Sequence, residues 1–99
     1  MNEKQILVQA ITTFGHLPQI IVAIEEMSEL TKELCKAKRG AQNREHIAEE
    51  IADVEIMLEQ LKLIYNITPA VKSWKERKLK RLAQRLEGKL DGILEETNH

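Results

Sequence analysis

Two pairs of acidic residues carry the chemistry this chain is equipped for: Glu26 and Glu29 within IEEMSEL, and Glu50 and Asp53 within AEEIADV. Each pair is spaced i, i+3, so on a helix both carboxylates leave one face about a turn apart. Like charges set that close repel each other, and a helix kept only for stability gains nothing from them. Either pair alone reads as solvated helix surface. Two such helices packed face to face would gather four carboxylates into one oxygen-rich pocket. Oxygen ligands of that kind suit Mg²⁺ or Mn²⁺, the ions that accompany phosphate substrates.

The elements that must position these residues are helices. Gly and Pro are scarce and fall where connections are wanted. Residues 2–14 read as a first helix, ended near Gly15. A second runs from about Leu17 to Lys38, with Pro18 in its first turn. Residues 39–43 form the clearest loop, with Gly40 suited to a helix C′ position and Asn43 to an N-cap. A third helix spans about Arg44 to Tyr65. Asn66, Thr68 and Pro69 break it and start a fourth, from about Pro69 to Glu87, with a possible resumption after Gly88. No strand alternation, repeat or low-complexity tract interrupts this pattern. The expectation is an all-α chain, a four-helix bundle-like arrangement with short connections.

On a helical wheel Gln19, Glu26, Glu29 and Glu33 share one stripe of the second helix, with Ile20, Ile24, Met27, Leu34 and the small residues near them on the side expected to face the core. On the third helix His46, Glu50, Asp53 and Met57 form a comparable stripe beside Ile47, Val54 and Leu61. The acids therefore border apolar surface, where carboxylates need cations or hydrogen bonds to stay charged. Glu25, Glu33, Glu45 and Glu49 read as surface or rim charges. Consecutive helices with a short connection pack antiparallel, which can bring the two pairs opposite one another.

Composition bounds the rest. Ninety-nine residues suit one domain with a modest core, and 42% hydrophobic residues make further burial between subunits plausible. A net charge of −1 lacks the basic excess of a general nucleic-acid binder. The single cysteine, Cys35, allows no intrachain disulfide and no zinc-type cluster. The amino terminus shows no long apolar run, and no stretch approaches transmembrane length, so a soluble, cytoplasmic protein without membrane partners is expected.

Glu26-x-x-Glu29, then 20 residues, then Glu50-x-x-Asp53 resembles the ExxE…ExxD signature of MazG-like nucleoside triphosphate pyrophosphohydrolases. The flanking segments GHLPQIIVAIEEMSELTKEL and HIAEEIADVEIMLEQL agree, and the resemblance covers roughly residues 14–65 well and the fourth helix more loosely. It implies the all-α MazG fold with its core completed by oligomerisation, as a homodimer or homotetramer. It also implies Mg²⁺-dependent hydrolysis of a nucleoside triphosphate to the monophosphate and pyrophosphate, with Mn²⁺ as a possible substitute. Glu26, Glu29, Glu50 and Asp53 are the implied metal ligands and catalytic carboxylates. One of them, or Glu25 or Glu49, would accept the proton of the attacking water.

The uncovered phosphates would need cations, and the fourth helix supplies SWKERKLKRLAQRL. Its apolar stripe is Leu79, Leu82, Ala83, Leu86 and Leu90. Lys78 and Arg81 resemble the family's phosphate-binding positions, although Arg81 points away from that stripe. Phe14, His16 and Gln19 precede the first acidic pair and could stack on or hydrogen-bond a base, with His16 and Gln19 the substrate-binding candidates. Three other readings are open. A ferritin-like di-iron bundle would want Glu-x-x-His pairs, which the acidic sites lack. A helical interaction module would use its charges only for solubility. Phosphoribosyl-ATP pyrophosphohydrolase shares the general fold and reaction.

Overall fold

The computed structural model describes residues 1–97, with side chains as far as residue 93, and everything described as regular structure is α-helix. Helix α1 spans Glu3–Phe14, α2 His16–Lys38, α3 Arg44–Ile64 and α4 Thr68–Thr97. The chain divides into two compact units, Met1–Asn66 and the segment from Ile67 onward. The first holds α1, α2 and α3, which pack pairwise against one another.

Helix α1 opens with a reciprocal cap. The Gln5 amide N–H donates to Asn2 Oδ1 at 2.8 Å, and the Asn2 N–H donates to Gln5 Oε1 at 2.9 Å. Two donors that a helix start leaves unpaired are thus satisfied together. Leu7 and Ile11, one turn apart, form its buried face. Gly15 then holds φ at +95°, a conformation glycine reaches without steric cost. There the chain bends by 112° into α2, with Pro18 in the first turn as the sequence suggests.

The α2–α3 connection is as short as expected. Gly40, with φ +99°, occupies C′ of α2; its N–H donates to Ala37 O at 2.9 Å, and Ala41 N–H donates to Lys36 O at 3.1 Å. This pair of bonds is the Schellman closure that satisfies the last carbonyls of a helix. Asn43 precedes α3, but its side chain makes no cap; it turns back toward α2 instead, correcting the N-cap expectation. Asn66, at φ +54°, ends the α3 region in the left-handed conformation that Asn tolerates better than most residues.

The second unit is α4. It runs unbroken through Gly88 and Gly92, where a break at Gly88 before any resumption was expected. A glycine inside a helix costs about 1 kcal/mol relative to Ala, which neighbouring Leu and Lys residues can offset. Leu79, Leu82, Leu86 and Leu90 all lie exposed along it.

The core of the first unit is small: Leu7, Ile11, Ala23, Val54 and Met57, with buried Gln19 and Gln60. The expected core side of α2 is met only in part: Ile20 is half-buried, and the buried apolar residue is the small Ala23 beside it. Ile24 is 56% exposed, Met27 39% and Leu34 49%, while Ala23 is 1% exposed. The small side chain of Ala23 lets the helices approach on the face that also carries Gln19, Glu26 and Glu33. Helix α2 therefore turns Gln19, Glu26 and Glu33 inward and leaves Ile24, Met27 and Leu34 outside.

Candidate metal centre

Helix α2 supplies Glu26, and α3 supplies Glu50 and Asp53. Each offers a carboxylate oxygen within 4.8 Å of the others', and all three side chains are half-buried. Around Mg²⁺, with its oxygen ligands at about 2.1 Å, ligand atoms lie roughly 3–4 Å apart, so slight contraction would make these three a ligand set. The fourth expected member, Glu29, stands outside the trio and is exposed. Its charge still acts on both Glu26 and Glu50.

The electrostatics record the crowding. Glu26 titrates above the ordinary glutamate range, chiefly because burial strips water from its charge. The charges of Asp53 and Glu50, the close approach of the Asp53 carboxyl group and the charge of Glu29 add to the effect. Glu50 is also raised, by desolvation first and then by Asp53, Glu29, Glu49 and Glu33. Its Oε2 atom is buried without a hydrogen-bond partner. A buried acceptor left unmet is costly, and a cation or its bound water would meet it. The donor set, all oxygen and anionic, fits a hard divalent ion.

The trio lies between two polar ties. On one side the Gln19 Nε2 donates to Gln60 Oε1 at 2.7 Å within the core, and Gln60 Nε2 rests 3.8 Å from Met57 Sδ. On the other, Asn43 Nδ2 donates to the Glu33 carbonyl oxygen at 2.9 Å and to Glu33 Oε2 at 2.6 Å. Asn43 lowers the Glu33 pKa by favouring its charged form, helped by Lys36, whose Nζ lies 3.4 Å from Oε1. Glu33, expected on the rim, is thus held between the helices. Both ties recur at a seven-residue interval from the acids, through Gln19, Glu26 and Glu33 on α2 and Asn43 and Glu50 on α3. That interval is two helical turns, a signal present in the sequence.

The remaining candidates scatter. Gln19 is buried and committed to Gln60. His16 is exposed at the start of α2, Phe14 is 63% exposed, and His46 is exposed near the start of α3. Met57 belongs to the core. Lys78 and Arg81 both line one shallow groove along α4, with Trp74 and Arg85, so lying off the leucine stripe does not separate Arg81 from Lys78. Trp74 has the Arg77 guanidinium 4.6 Å from its ring centroid and the Lys78 ammonium at 6.0 Å. Arg77 also donates to Ser73 Oγ at 3.3 Å. Among the described residues no single helix is long and apolar enough to cross a membrane. Comparison with protein families, with curated proteins and with solved structures found no match to this chain.

Proposed function

We propose that this chain is a MazG-like, Mg²⁺-dependent nucleoside triphosphate pyrophosphohydrolase. The observation that carries the reading is the convergence of Glu26 with Glu50 and Asp53 across α2 and α3. Carboxylates distant in sequence that crowd together, with Glu26 and Glu50 raised in pKa and a buried Glu50 oxygen unmet, cost stability unless a cation joins them.

Glu26, Glu50 and Asp53 would hold the metal, with Glu29 recruited from its exposed position beside them. The bound metal would offset phosphate charge and lower the pKa of a coordinated water. The reaction consumes one water and breaks the bridge between the α and β phosphates, releasing the monophosphate and pyrophosphate. One of the four carboxylates, or Glu25 or Glu49, takes the water's proton. Lys78 and Arg81 would contact phosphate oxygens, and His16 and Gln19 are the residues assigned to the base. Gln19 would serve there by first giving up its bond to Gln60. The exposed apolar side chains, among them Ile21, Ile24, Leu82 and Leu86, support completion of the core by a homodimer or homotetramer. The role would be nucleotide-pool house-cleaning in the cytoplasm.

The test is pyrophosphate release over a panel of NTPs and dNTPs, in Mg²⁺ and in EDTA. Release from at least one nucleotide, dependent on Mg²⁺ and lost in Glu50→Gln, is the expected result. No metal-dependent release from any of them would favour the interaction-module reading.

A further inference from the structure

Asn43 occupies the position of an N-cap yet caps nothing. Its amide instead spans ten residues to take both the main-chain and side-chain oxygens of Glu33. That clasp joins the last turns of α2 to the first residue before α3. It lies two turns from Glu26 along one helix and two turns from Glu50 along the other. The Gln19–Gln60 bond closes the opposite side of the trio. With both in place, neither helix can rotate or slide against the other without breaking a part-buried hydrogen bond.

We infer that Asn43 and Glu33 are positioning residues for the metal centre, fixing the rotation of α2 that aims Glu26 at Glu50 and Asp53. The inference rests on the metal reading above. Glu33 acts here as the acceptor of Asn43, and its charge is a separate, longer-range effect on the ion. Removing the clasp loosens the ligand geometry while leaving every ligand in the chain; losing a partner bonded directly to a ligand weakens metal binding about 10–100-fold, and a tie two turns away is placed at the lower end of that range.

Mn²⁺ titration of the full chain separates the alternatives, with helical content and melting temperature checked so that each variant is folded during the assay. Asn43→Ala keeps all charges and should bind Mn²⁺ about tenfold more weakly than the parent. Glu33→Gln and Glu33→Ala lose the same charge and keep the main-chain acceptor, but only Gln still offers Asn43 a side-chain oxygen. Glu33→Gln should therefore bind several-fold more tightly than Glu33→Ala, and the difference should vanish when Asn43→Ala is added. A purely structural tie would lower the melting temperature and leave Mn²⁺ affinity unchanged. Asn43→Ala matching the parent, or Glu33→Gln matching Glu33→Ala, overturns the inference while leaving the metal site standing. A parent that binds no Mn²⁺ overturns the metal reading, and this inference with it.

Discussion

Glu26 on α2 and Asp53 on α3 bring carboxylate oxygens within 4.8 Å of each other across the helix pair, and that closeness adds to the burial that raises the Glu26 pKa. Two carboxylates held that close repel each other, and a shared cation would relieve the repulsion. Glu50, crowded by Asp53 and desolvated, is in the same position. This relationship joins the fold to its chemistry: the face by which α2 meets α3 is the face that repels itself.

Stability of the metal-free protein should accordingly rise on mild acidification. Glu26 and Glu50 have folded-state pKa values raised above the ordinary 4.5, so their contribution is fully present below that value and is lost as pH climbs through the folded values. Glu33 is lowered, so its contribution is present above 4.5 and lost as pH falls through its folded value. Melting curves recorded in EDTA should show a maximum on the acid side of neutrality. A melting temperature that rises steadily from about pH 4.5 to about pH 7 would contradict the crowding of the trio.

Glu50→Gln should melt higher than the parent without metal, because it removes a desolvated charge from beside Asp53. In millimolar Mg²⁺ the order should change: the parent gains stability by mass action, and the variant gains little. Equal Mg²⁺-induced shifts in the two proteins would remove Glu50 from the ligand set.

The Gln19–Gln60 bond should behave as a buried, mutually dependent pair. Gln19→Leu leaves the Gln60 oxygen without its donor and should cost about 1–3 kcal/mol in denaturant unfolding. The double variant Gln19→Leu with Gln60→Leu should recover part of that loss, since neither partner is then unmet. Strictly additive losses would mean the two amides act independently.

Much of the fold was legible because its signals are local. Gly15, Pro18 and Gly40 punctuate the helices where their backbone preferences require, and Gly40 closes α2 as a C′ residue should. The orientation of α2 was legible only in part. Ile24, Met27 and Leu34 form an attractive core stripe by hydrophobicity, but 1%-exposed Ala23 and the two polar ties decide which face turns inward. Such a choice depends on the partner helix, and hydropathy along one helix carries no record of it. The site followed the same division. Spacing singled out Glu26, Glu29, Glu50 and Asp53 alike, and it could not tell that Glu29 lies on the exposed edge while the other three converge. Asn43 and Glu33 look like a cap and a surface charge until the loop between them closes.

The helix start at Asn2 offers a control away from the site. Asn2→Ala removes one half of the reciprocal cap with Gln5 and should destabilise the first unit by about 1 kcal/mol. Its Mn²⁺ affinity, measured well below the melting temperature, should equal the parent's. A matching loss of metal binding would show that affinity in this protein follows general stability and not the geometry of the trio.

The most direct test of the central claim is the identity of the phosphate product. Phosphorus NMR of the parent with a nucleoside triphosphate it turns over should show monophosphate and pyrophosphate appearing together in Mg²⁺. Neither should appear in EDTA or with Glu50→Gln. Release of orthophosphate and nucleoside diphosphate, or product formation indifferent to Mg²⁺ and to Glu50, would contradict the account.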